Sequence, residues 1–113
     1  MSGRGALAEE AAAEFLTGRG LTLLERNYRC RFGEIDLIMR DGRVLVFVEV
    51  RYRRNKSFGG AVASITASKR EKLLLTARHY MSARQEIPAC RFDAVLLNGD
   101  TGDLEWIENA FGE

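Results

Sequence analysis

Residues 33–54 read GEIDLIMRDGRVLVFVEVRYRR, two apolar runs on either side of Asp41-Gly42. Runs rich in Ile, Leu, Val and Phe favour extended backbone, and an Asp-Gly pair between them is a strong short-range hairpin signal. The stretch predicts two antiparallel strands, residues 33–40 and 43–52, joined by a type I′ turn at 41 and 42. It also carries three carboxylates, Glu34, Asp36 and Glu49, within sequence that otherwise favours strands.

The hairpin register says what those acids do to one another. A turn at 41 and 42 pairs Arg40 with Arg43, sets Asp36 opposite Phe47 and puts Glu34 opposite Glu49. Because side chains alternate, Glu34, Asp36 and Ile38 then share a face with Leu45, Phe47, Glu49 and Arg51, while Ile35, Leu37, Val46, Val48 and Val50 line the other. A one-residue bulge would move one strand's acids across the sheet. Like charges directly opposed destabilise a strand pair, and diagonal neighbours about 7–8 Å apart still repel. The cluster therefore calls for a counter-charge. Two sources are open: Arg51 on the same face, in an arginine–carboxylate network without metal, or a divalent cation. Mg²⁺ accepts one or two carboxylates and completes its shell with water or phosphate oxygens, so Asp36 and Glu49 suit it.

Working outward, residues 7–19 place apolar side chains at 7/8, 11/12 and 15/16, the repeat of one buried helical face, with Gly18 and Gly20 as an ending. Residues 21–28 read as a first strand. Residues 53–66, with RRNKSFGGA, read as an exposed connection. A second helix follows from Ser68 to about Ala83, because Ser68 and Glu71 match a capping box and Leu73, Leu74, Ala77, Tyr80 and Met81 recur at helical spacing. After Pro88, CRFDAVLL and LEWIEN read as two more strands separated by glycine-containing turns. The order α-β-β-β-α-β-β predicts the α/β class, a mixed sheet of about five strands flanked by helices, because a helical crossover permits parallel pairing of the third and fourth strands. With 113 residues and no repeat or low-complexity linker, the expectation is a single domain spanning 1–113.

A net charge of only +1 argues against a uniformly basic nucleic-acid coat. The distribution is less even. Residues 26–56 hold nine Lys or Arg against four acids, whereas beyond Arg91 there are six acids and no basic residue. Charge alone favours side chains that simply solvate loops; the alternative is a basic middle that steers a polyanion to one side and an acidic end for a protein partner. Cys30 and Cys90 lack the spacing of a zinc site or disulfide framework. No run approaches the roughly 18 apolar residues of a membrane span, and no secretory signal opens the chain. The expectation is a cytoplasmic protein with reduced cysteines and no membrane partner.

Asp36 followed by Glu49-Val50-Arg51 resembles the D…(D/E)-x-K signature of the PD-(D/E)xK nuclease superfamily, which includes restriction enzymes and archaeal Holliday-junction resolvases. The longer set AEEAAAEFL, RNYRCRFGEIDLI, VFVEVRYR, FGGA and RFDAV is more specific, and resembles the YraN family of small bacterial proteins along essentially the whole chain. The resemblance implies a restriction endonuclease-like three-layer core and a Mg²⁺- or Mn²⁺-dependent endonuclease acting on DNA, with branched or damaged DNA as the favoured substrate and RNA not set aside. It implies Asp36 and Glu49 as metal-binding acids and Glu9, on the first helix, as an additional acid near them. Helical spacing alone does not single out Glu9, because Glu9 and Glu14 flank the apolar stripe equally and only Glu10 points away. Lys69 falls where many relatives carry a polar residue facing the site, and Glu34 is secondary. Resolvase relatives make a homodimer an expectation to test.

The sequence departs from the signature at Arg51. Lysine there can orient or deprotonate water, whereas arginine stays protonated and contributes only electrostatics and phosphate binding. Activation of water would then fall to the metal. Arg53, Arg54 and Lys56 follow at once, placed to hold a nucleic-acid backbone in register. The rival readings are a non-catalytic nucleic-acid-binding module on a nuclease scaffold and a protein-interaction subunit. Tyr52 and Phe58 are read as packing residues, His79 as structural or exposed, Asp93 as the partner of an arginine, and Trp106 and Phe111 as closing the core.

Overall fold

A computed structural model describes residues 3–53, 65–84 and 89–111, the side chains of 3–5 and 53 excepted. Helix α1 (Gly3–Gly18) leads into β1 (Thr22–Cys30), β2 (Gly33–Asp41) and β3 (Val44–Arg53); α2 (Ala67–Ala83) then precedes β4 (Cys90–Asn98) and β5 (Leu104–Phe111). The strands lie side by side in the order β1-β2-β3-β4-β5. All neighbours are antiparallel except β3 and β4, which run parallel, as the helix between them allows. The α/β architecture and element order expected from the sequence are those the chain adopts.

The two helices cover opposite faces of the sheet. Toward α1 point Leu37, Met39, Val46, Val48 and Val95, which meet Ala12, Ala13 and Leu16. Toward α2 point Ile38, Leu45, Phe47, Phe92 and Ala94, which meet Leu73, Ala77 and Tyr80. Alanine suits the first contact because it favours helix and lets the backbone approach the sheet closely. Aromatic rings dominate the second. Phe47 stacks on Phe92 with centroids 5.4 Å apart and meets Tyr80 edge-on, and Phe92 stacks in turn on Phe111. Each such ring contributes about 1.5–3 kcal/mol by burial.

The end of α1 is fixed by its sequence. The Leu21 N–H donates to the Leu16 carbonyl and the Gly20 N–H to the Thr17 carbonyl, with Gly20 at φ +100°. This is the Schellman pairing, whose left-handed residue is best glycine. Leu16 and Leu21, which it brings together, both enter the core.

Two local expectations are corrected. The hairpin pairs Asp41 with Val44, so its two-residue loop is Gly42-Arg43 rather than Asp41-Gly42. Gly42 has φ +64° at the first central position, the placement of glycine in a type II′ turn. Asp41 is instead the last paired residue, and its carboxylate accepts from Arg91 Nη1 at 3.2 Å. Second, α2 is capped by Thr66, whose hydroxyl accepts the Lys69 N–H, rather than by Ser68. The connection at residues 54–64, with Arg54, Lys56 and Phe58, and Pro88 lie outside the described residues, as does the Arg53 side chain.

Candidate active site

At Asp36 the sheet forks. Backbone pairing between β2 and β3 ends at Leu37↔Val48. Yet β2 continues beside β1 to Cys30↔Gly33, and β3 continues beside β4 to Arg53↔Asn98. The early part of β2 thus parts company with the late part of β3. The side chains record the change: Ile35 and Leu37, two residues apart and expected on one face, pack in opposite cores. Asp36 closes the apex of the fork. Its Oδ2 accepts the Val50 N–H at 2.8 Å, so a side-chain oxygen satisfies the donor that the departed strand no longer meets.

The expected register differs by two residues from the observed one, which changes Asp36's neighbour. Placed opposite Phe47 by the sequence, it stands instead one step past Leu37↔Val48, beside Glu49 and Val50. Glu49 is 5% exposed. Its Oε2 faces two cations, Arg51 Nε at 3.4 Å from the same strand and Lys69 Nζ at 3.7 Å from α2. The Thr66 cap fixes the helical turn that carries Lys69. One oxygen of each acid, Asp36 Oδ1 and Glu49 Oε1, stays outside these contacts.

Burial pushes the Asp36 carboxyl up to about 7, with the neighbouring Glu49 charge and, more weakly, Glu9 adding to the rise; the Val50 N–H and Lys69 pull the other way. Burial also raises the Glu49 carboxyl, against Lys69 and Arg51, and Glu34 adds to the rise. Two carboxylates this close and this poorly hydrated do not both ionise without cost. The cations present reduce that cost without removing it.

The structure therefore gathers Asp36, Glu49, Arg51 and Lys69, with Glu9 and Glu34 acting on them through their fields. Glu34 is itself exposed and stands 3.8 Å from Arg29 Nε. Glu9 is half-buried on α1, while Glu10 points outward to Arg26 at 2.9 Å. Among the described residues no three acidic, histidine or cysteine side chains close on one point. The donor set is thus two carboxylates, which fits Mg²⁺ or Mn²⁺ completing its shell from water and phosphate. The sequence named all of these residues and missed the fork, whose one signal was the presence of acids in strand-forming sequence.

A mixed α/β sheet with a helix on each face and a half-buried and a buried carboxylate paired at a fork in its centre defines the class. Within it, Uncharacterised protein family UPF0102 matches residues 8–97, from α1 to β4, a span that holds all six clustered residues. A UPF0102 protein of Nitrosospira multiformis is 61% identical over 109 residues, covering 96% of this chain and 92% of the relative. One of Nitrosomonas europaea is 58% identical over 111 residues, with 97% and 94% covered, and one of Psychromonas ingrahamii 51% over 110, with 97% and 90%. The chain belongs to the UPF0102 family, the YraN family whose motifs its sequence resembles. Among the described residues no helix is long and apolar enough to cross a membrane.

Proposed function

We propose that this protein is a Mg²⁺- or Mn²⁺-dependent endonuclease that hydrolyses phosphodiester bonds in DNA, with branched or damaged DNA as the favoured substrate. The observation that carries the reading is the pairing of half-buried Asp36 with buried Glu49 at the fork, two acids whose repulsion a divalent cation relieves. A bound ion supplies the Lewis acidity that phosphodiester hydrolysis needs. The chain supplies the rest. The Val50 N–H anchors one oxygen of Asp36 and leaves the other to a ligand. Arg51 and Lys69 anchor one oxygen of Glu49 in the same way. Arg51 cannot accept a proton at working pH, so its part is to neutralise charge building on the phosphate. Arg53, Arg54 and Lys56, which follow Arg51 in the sequence, supply further positive charge for a nucleic-acid backbone. No disulfide joins Cys30 and Cys90, in keeping with a cytoplasmic enzyme.

The test is a panel of linear, nicked, flapped and four-way DNA, with RNA alongside, incubated with wild type and Glu49→Gln in Mg²⁺ or Mn²⁺. The expected result is metal-dependent cleavage that falls by about 10³-fold in the variant, the loss of several kcal/mol of charge stabilisation. Arginine in place of the superfamily's lysine favours one other reading, a nucleic-acid-binding module without catalysis. Binding with no Glu49-dependent cleavage would establish that one instead.

A further inference from the structure

Four residues of α2, Lys69, Lys72, Thr76 and His79, recur at intervals of three and four and so form one stripe along the helix. Lys69 is the end that touches Glu49. The stripe then crosses the β1–β2 turn: a side-chain carbon at Gly33 would lie 3.3 Å from Thr76 Oγ1 and 3.7 Å from Lys72 Cβ. Gly33, at φ +152°, thus lets the turn tuck under the helix. Beside it Phe32 is half-buried, with the Arg31 guanidinium 4.9 Å above its ring and the His79 ring 6.2 Å away.

Several cations elsewhere are held in close ion pairs. Arg26, Arg84 and Arg91 lie within about 3 Å of Glu10, Glu25 and Asp93. Lys72 and Arg31 are exposed, and among the described residues neither has a carboxylate within ion-pair distance. The local acid Glu34 is opposed by Arg29 at 3.8 Å. The result is a cationic strip around an accessible aromatic ring. It starts about 10 Å from Asp36, the length of three residues of β2. Positive charge interleaved with a stacking ring is the chemistry that binds unpaired nucleic acid, since every base has a π-face.

On the reading that the substrate is DNA, we infer that a single-stranded segment of it lies along α2 and the β1–β2 turn. Lys72 and Arg31 contact its phosphates, Phe32 stacks on a base, and Lys69 delivers the strand to the acidic pair. The strip thereby selects substrates that carry an unpaired arm next to the bond to be cut.

The test needs neither metal nor cleavage. Binding of a fluorescein-labelled deoxythymidine oligonucleotide of about 20 residues is followed by anisotropy in EDTA across a range of salt. Lys72→Ala and Arg31→Ala should each weaken binding and reduce the slope of log affinity against log salt by about 0.7, one phosphate contact on a single strand. Phe32→Leu, which keeps apolar volume at a half-buried position, should weaken binding at least about fivefold with the slope unchanged. Arg43→Ala removes the same charge at the opposite end of the hairpin, beyond a screening length of about 10 Å, and should change neither quantity. The inference is overturned if the oligonucleotide does not bind, if a duplex of equal length binds more tightly, or if Arg43→Ala has the effect of Lys72→Ala. Failure here with intact Glu49-dependent cleavage leaves the nuclease reading standing; the expected binding without cleavage removes that reading and keeps the strip.

Discussion

Two carboxylate sites lie in the same sheet, and they are built in opposite ways. Asp93, on β4, is fully buried and surrounded by donors: Arg91 Nε reaches both its oxygens at 3.0 and 3.2 Å, Trp106 Nε1 donates at 2.9 Å, and the Asn109 N–H donates at 2.9 Å. Arg91 is held in turn. Burial disfavours its charge, but Asp93 and Asp41 outweigh that and keep it protonated. Asp36 and Glu49 have each other as neighbours, one backbone donor and two cations at ion-pair distance. At the first site both oxygens of the acid are met by hydrogen-bond donors, and among the described residues Arg91 is the one cation, shared with Asp41. At the second, Asp36 has a single backbone donor and both cations stand against Glu49, at a place where the sheet opens. An acid supplied with donors by the fold reads as structural; one left with an oxygen outside its contacts is the better candidate for a ligand.

The largest effect expected of that contrast is at Asp93. Asp93→Ala leaves Arg91 Nε, the Trp106 N–H and the Asn109 N–H without their acceptor, and should cost about 3–5 kcal/mol of stability in urea denaturation. The next is at the fork, with the opposite sign. Asp36→Asn retains an oxygen for the Val50 N–H and removes one of two repelling charges, so the metal-free variant should be more stable than wild type at pH 8 by about 1–2 kcal/mol. If Asp36→Asn destabilises as Asp93→Ala does, the two sites are not different in kind.

The pH dependence sharpens the same point. The folded state keeps a proton on Asp36 up to about pH 7, where the unfolded chain releases it near 3.8. Between those values the native state binds the more protons, so stability of the metal-free protein falls as pH rises, by an amount on the order of a few kcal/mol. Glu49, also raised, adds a contribution of the same sign. Denaturation curves between about pH 4 and 8 should show this decline in wild type and a shallower one in Asp36→Asn. The smallest effect is at the cap of α2: Thr66→Ala should cost about 1 kcal/mol by freeing the Lys69 N–H and loosening the turn that brings Lys69 to Glu49.

Much of this was legible in the sequence, to different depths. Alternation and the Asp-Gly pair foretold the hairpin, but the loop formed one residue later because glycine serves a type II′ turn from its first central position. That shift of two in pairing preserves which residues share a face, and so the grouping of Asp36 with Glu49 survived an incorrect register. The fork did not follow, because alternation assumes an unbroken ladder, and Ile35 left its expected face where β2 turns aside with β1. The Thr66 cap was hidden by Ser68, an equally suitable residue with a well-spaced Glu71. Asp93 was foreseen as an arginine's partner, and its arginine is two residues away in the same strand. Phe111 lies in the core as expected, whereas Trp106 packs only partly buried at its margin, its ring 6.3 Å from that of Phe15.

On the proposed reading the acids at the fork hold a cation and Asp93 takes no part in holding it. Following the unfolding temperature at pH 8 while Mg²⁺ or Mn²⁺ is added tests this for wild type, Asp36→Asn and Asp93→Asn side by side. Wild type and Asp93→Asn should rise by about 10 °C at a hundredfold excess over Kd, with Asp36→Asn unmoved. An equal rise in Asp36→Asn would mean that the fork holds no such cation.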